Sequence, residues 1–210
     1  MDNAKKIARE MLDAIKVDGS GFIAAVAKGF ISLPDRPGYR GYDVIDTEHR
    51  RENRDDKFRL ARLLETTVFN RRVLQNVINV FINDFSSRWE PYVIARDSGG
   101  AFAGKMLFSQ LSGIKLGGVI SERILSAILS GVMVSAVISM GAEASRAIYT
   151  ARYLRQRNPT AYYTLQALGD LDLLYFIVED SVKPFEKACA IGDVNAAEFN
   201  TICQYFLDGM

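Results

Sequence analysis

The sequence predicts an all-α protein, a single globular domain of seven to eight helices around a central apolar helix rich in glycine and serine. Three observations lead to it. Apolar residues recur three and four apart over most of the chain, and no strand-type alternation of useful length occurs. At 210 residues the chain is long enough to bury a proper core and short enough for one domain, 1–210.

In chain order, Ala4, Ile7, Ala8, Met11, Leu12 and Ile15 share one face of an amphipathic helix over 4–16, with Asp2 or Asn3 as its N-cap. Asp18-Gly19-Ser20-Gly21 breaks it, and a largely apolar helix over about 21–32 stops before Pro34. Residues 33–53 read as an irregular segment punctuated by Pro34, Pro37, Gly38 and Gly41, and loops of that length are often functional. From Asp46 to Arg59 charges alternate in sign, as in a solvated helix start laced with ion pairs. One long helix is expected over 56–85, where Leu60, Leu63, Val77, Ile78, Phe81 and Phe85 hold one face, and Ser86 to Gly100 is the next break.

Near the C-terminus a helix begins at Thr160, after Pro159. Gly169-Asp170 ends it and caps another over about 171–190, which Pro184 is expected to kink or split near Ser181. Gly192-Asp193 then leads into a last helix over about 194–208, within an acidic helical region, 163–210.

The unusual feature lies between. Nineteen consecutive residues, Ile124 to Ala142, carry no charge, about the length that crosses a hydrocarbon core of roughly 30 Å as a helix. The preceding stretch from Gly99 is also apolar, so 99–142 reads as two helices parted near Gly117-Gly118. Small residues recur along it: Gly113 and Gly117, then Ser126, Ser130, Gly131, Ser135 and Ser139. At that spacing they let helix backbones approach closely, in a membrane or in a soluble core. Two uses fit. The helix is the apolar-all-round centre of a bundle, or it is buried in a soluble form and enters a bilayer later.

Charge is segregated along the chain. Residues 99–162 hold seven Lys/Arg against two Asp/Glu, and residues 163–210 hold two against eight. A basic apolar middle suits an anionic lipid surface, with Arg146, Arg152, Arg155 and Arg157 as its lipid contacts. The acidic tail could pair with the same region in a soluble state. The net charge of +1 argues against a nucleic-acid partner.

Recognisable catalytic chemistry is missing. His49 is the only histidine, placed in a charge run, and no CxxC, HExxH, GxSxG or Walker-type pattern occurs. Asp170 and Asp172 read as a helix cap and a first-turn carboxylate, with an acidic metal site including Glu179 and Asp180 as the minor alternative. Tyr149, Tyr153, Tyr162, Tyr163, Tyr175 and Phe176 read as helix packing or as an interfacial set. Cys189 and Cys203 read as buried thiols, and the N-terminus lacks the pattern of a secretion signal.

An apolar hairpin sheathed by amphipathic helices is similar in outline to colicin-type pore-forming domains. The likeness covers general layout only. Lys105, Lys115, Glu122 and Arg123 interrupt the hairpin and leave 124–142 as its one span. What this implies is a membrane-active helical protein, pore-forming or depolarising, acting in bacterial antagonism. The alternative is a non-enzymatic interaction module, such as an immunity, adaptor or chaperone-like protein. The expected partner is an anionic membrane or a neutralising protein, with no cofactor and no metal. Synthesis in the cytoplasm is expected, followed by signal-independent export or membrane association.

Overall fold

Apolar side chains repeated three and four apart give each helix one face to hide, and the way those faces meet defines the domain. The computed structural model describes residues 2–15, 47–66, 71–88, 113–131 and 140–210. Among these residues the fold is all-α, with no strand. The helices are α1 (Asp2–Ile15), α2 (Arg50–Thr66), α3 (Arg71–Arg88), α4 (Gly113–Gly131), α5 (Met140–Arg157) and α6 (Pro159–Ala167). A 3-10 turn, Leu171–Leu174, is followed by α7 (Tyr175–Val194) and α8 (Ala196–Gly209). The expected helix at 21–32, most of the irregular segment and residues 89–112 lie outside the described residues.

α3 runs through the described core, and its Leu74, Val77, Ile78, Phe81, Ile82 and Phe85 are all buried. It packs on α4 and α7, and α6 and the 3-10 turn also lie against it. Phe85 meets Phe185 of α7 edge-on at 5.3 Å between ring centroids, and Phe199 and Phe206 of α8 at 5.8 and 6.2 Å. Such tilted contacts suit the ring quadrupoles and add to the burial term. On the far side α1 packs against α7 and α8, burying Ile7, Ala8 and Met11.

Several boundaries differ from the expectation. The helix expected over 56–85 is two elements, α2 and α3, with different neighbours; residues 67–70 lie outside the described residues. The break expected at Gly117-Gly118 does not exist, because α4 runs straight through it. Gly117 is there for contact. A Cβ at this position would stand 2.9 Å from the Ser86 hydroxyl and 3.7 Å from Ile82, so its absence lets α4 seat closely on α3.

Pro184 does not split α7. It is buried along with Val182 and Phe185, and that packing outweighs the hydrogen bond a proline cannot donate. α7 runs on to Val194, past Gly192-Asp193, and Asn195 caps the start of α8. Its backbone turns extended and its side chain accepts from the Glu198 N–H at 3.1 Å. The span 124–142 comprises the end of α4, residues 132–139 outside the description, and the start of α5.

The α3–α4 crossing makes a direct prediction. Gly117→Leu should overpack it and cost about 1–3 kcal/mol in urea denaturation. Gly118→Ala, one residue on and open to solvent, should be neutral or stabilising by about 0.5–1 kcal/mol. Equal effects at both positions would contradict a close crossing.

Candidate functional site

The charge run at the start of α2 is only partly solvated. Glu52, Asp56 and Arg59 recur at helical spacing on one stripe and meet opposite charges from two other elements. The Arg59 guanidinium donates to Asp56 at 3.0 Å, Asp170 at 2.8 Å and Asp172 at 2.5 Å. Arg62 adds a second bond to Asp170 at 2.5 Å. From α5, Arg152 donates to Asp56 at 2.8 Å and Arg155 to Glu52 at 2.9 Å. Four arginines and four carboxylates therefore join α2, α5 and the turn before α7.

The turn geometry makes this possible. Gly169 has φ 103° and Asp170 φ 62°, both left-handed, and the Asp170 side chain makes no cap bond. Asp170 thus takes the expected cap position but spends its side chain on ion pairs instead of a cap bond, while Asp172 lies in the first turn as expected and also meets a cation of α2. Asp172 is fully buried, and its Oδ2 has no hydrogen-bond partner among the described residues. Burial holds its pKa above the ordinary carboxylate value, although Arg59 opposes this. For Asp170 burial acts the same way, but Arg62 and Arg59 prevail and its pKa lies below the ordinary value. No group of three His, Cys, Asp or Glu among the described residues is arranged to hold a metal.

The four arginines expected at a lipid surface are engaged within the protein. Arg146 lies over the Phe176 ring at 5.6 Å, Arg152 over Tyr149 at 5.2 Å, Arg155 over Tyr162 at 5.8 Å and Arg157 over Tyr175 at 5.9 Å. Three of them also hold carboxylates. Arg152 is 9% exposed, so in this conformation it presents no charge to a membrane. Of the aromatic set, Tyr149, Tyr162, Tyr175 and Phe176 are packed in the interior, whereas Tyr153 and Tyr163 are exposed.

A second polar centre sits where α5 ends. The Tyr175 hydroxyl donates to Glu186 Oε2 at 2.7 Å, Arg157 donates to the same oxygen at 2.9 Å, and the Asn158 amide donates to Oε1 at 3.1 Å. Burial, reinforced by Glu186, raises the Tyr175 pKa well above that of a free phenol.

This centre closes one side of a groove of about 840 Å³ between α3, α6 and α7. Val80, Phe81, Ala161, Leu168 and Ala190 give it apolar lining; Asn76, Asn79, Asn83, Thr160 and Thr164 contribute hydrogen-bonding groups. Arg88, bonded to Asp84 and Asp193, lines it at the ends of α3 and α7. Cys189, also lining it, and Cys203 are free buried thiols. Burial raises both pKa values, that of Cys203 to about 12, so neither is a nucleophile at neutral pH.

No protein family, no curated protein and no solved structure matches the chain. The site therefore has to be read from its own geometry. Of the small residues singled out in the sequence, Gly113 begins α4, Gly117 stands at the α3 crossing and Ser126 is half-buried on α4. Ser130 and Gly131 lie in the last turn of α4, with side-chain positions outside the described residues, as are Ser135 and Ser139 altogether.

Arg59→Met should cost about 3–5 kcal/mol, because it strands buried carboxylates, and adding Asp172→Asn should recover part of that loss. The pH dependence separates the two aspartates. The depressed Asp170 contributes stability at neutral pH that is lost as pH falls through its folded pKa. The raised Asp172 contributes stability in acid that is lost as pH rises through its folded pKa. Relative to wild type, Asp170→Asn should then be more damaging at neutral pH than in acid, and Asp172→Asn the reverse, by urea denaturation at both.

Proposed function

We propose that the chain is a non-enzymatic protein–protein interaction module whose apolar centre is structural core. The observation that carries this reading is the use made of α4. Its Ile120, Ile124, Leu125 and Ile128 are buried, and α3 is its main neighbour. A helix already committed in this way forms part of the scaffold. The arginine contacts point the same way, since lipid binding through Arg152, Arg155 and Arg157 would require breaking their bonds to Asp56, Glu52 and Glu186. Likewise Asp170 and Asp172, the acids best placed in sequence for catalysis, are taken up by Arg59 and Arg62. An immunity, adaptor or chaperone-like role in the cytoplasm, against a protein partner, is consistent with these features.

Among the described residues no helix is long and apolar enough to cross a membrane. Residues 132–139 stand outside that statement, so the membrane-active reading is the rival to be tested. The measurement is co-sedimentation of the protein with anionic and with neutral liposomes, at acidic and neutral pH, together with dye release. The expected result is protein in the supernatant and no release under all four conditions. Sedimentation with anionic vesicles accompanied by leakage would overturn the module reading and restore a pore-forming or depolarising one.

A further inference from the structure

α2 is held on the domain by different means from its neighbours. Of its 17 residues six are Lys or Arg and four are Asp or Glu, which leaves little apolar surface to bury. Among its described side chains the buried apolar ones are Leu60 and Leu63, while Asn53 and Asp56 are buried and polar and Phe58 is exposed. By contrast α3 buries six large apolar side chains, and α4 buries Ile120, Ile124, Leu125 and Ile128. Among the described helices α2 packs chiefly on α5. What joins it to α5 and to the turn before α7 is the ionic cluster. Glu52 and Asp56 face Arg155 and Arg152, and Arg59 and Arg62 face Asp170 and Asp172.

The two kinds of attachment respond differently to separation. Parting apolar faces returns their surface to water with nothing to offset the loss. Parting ion pairs returns each charge to water, and rehydration offsets most of the lost attraction. Asp172 gains most from that exchange, because it is fully buried and its Oδ2 has no hydrogen-bond partner among the described residues. A helix of 17 residues on its own is only marginally stable in water, so α2 would lose its backbone hydrogen bonds once it left the domain.

We propose that α2 is a strap that detaches as a unit while the rest of the described fold stays packed, uncovering the face formed by Arg152, Arg155, Asp170 and Asp172. The contacts of Phe85 with Phe185, Phe199 and Phe206 and the α3–α4 crossing at Gly117 involve no residue of α2, so they survive its departure. The turn that carries both aspartates also packs on α3, α5, α6 and α7 and stays in place. The detachable helix is therefore the charged α2 and not the apolar α4. Opening converts an internally paired cluster into an accessible face of two guanidinium groups and two carboxylates. That a protein partner uses this face rests on the interaction-module reading; the opening itself does not.

The test is amide hydrogen exchange of the full chain at pH 7, with rates corrected for their intrinsic values. Amides of α2 beyond its first turn should exchange about a hundredfold faster than those in the middle of α3 and α7. Two variants show which contacts the opening breaks. Ile124→Val weakens packing that both the closed and the open form keep, so it should speed exchange in α3 and α4 about fivefold and leave α2 unchanged. Asp170→Asn removes a charge that only the closed form uses, at a left-handed position that Asn also tolerates, and should speed α2 about tenfold. Equal protection of α2 and α3 in the wild type, a parallel response of both to Ile124→Val, or no response of α2 to Asp170→Asn would overturn the proposal. The liposome measurement keeps the two readings apart. Vesicle binding with leakage removes the module reading, whereas the exchange pattern decides the strap without any vesicle present.

Discussion

The described structure depends on hiding one helix. α3 carries six large apolar side chains between Leu74 and Phe85, and each is almost completely removed from water. Burying side chains of this size stabilises a fold by roughly 1.5–3 kcal/mol apiece, so the placement of other helices follows from covering them. α4 can cover one side only because Gly117 has no Cβ to strike Ser86. α7 and α8 cover another through Phe185, Phe199 and Phe206 around Phe85. α4, which holds Ile124 to Gly131 of the uncharged run, is therefore tied to α3 by the same contacts that stabilise the domain. Releasing it would expose two apolar faces at once.

Electrostatics does a different job on the opposite side. The charges of α2 meet α5 and the Gly169–Leu174 turn through paired guanidinium and carboxylate groups, largely buried at Arg59, Asp56, Arg152 and Asp172 and more exposed at Arg62 and Arg155. Such pairs add little net stability, because desolvation consumes most of the attraction, but they fix relative orientation strongly. Asp172 shows the balance. It sits at full burial with Arg59 at 2.5 Å, and still burial leaves its pKa raised. A network of this kind tolerates paired changes better than single ones, since a lone deletion leaves a charge without its partner.

The fold class and most helices were legible in the sequence because they depend on local periodicity. α1 follows from Ala4, Ile7, Ala8 and Met11, and α6 from a start beside Pro159, without reference to any other segment, although the sequence pattern did not single out its Asn158 cap. What was not legible is contact at a distance. Gly117-Gly118 resembles a helix break until Ser86 is placed opposite it. Arg152 resembles a surface charge until Asp56, nearly a hundred residues earlier, is brought to it. The ionic cluster did leave a trace, the Glu52–Asp56–Arg59 stripe at helical spacing, but the same stripe suits a solvated helix, and only Asp170 and Asp172 decide between the two. The groove left none, since Asn76, Asn83 and Lys183 are separately unremarkable surface residues.

The groove and the buried Glu186 centre also explain one another. Glu186, on the same helix as Lys183 and Lys187, lines the groove together with Asp84 and Asp193. Its two oxygens are occupied by Tyr175, Arg157 and Asn158, so its charge is answered from within. Those same bonds anchor the end of α5 and the start of α6 to the side of α7, and α6 and α7 are two of the elements that line the groove. Fixing side chains in this way before any contact is made is the general route by which preorganisation contributes to affinity without adding contacts. The core that holds α3 therefore also sets the wall on which Asn76 and Asn83 are displayed.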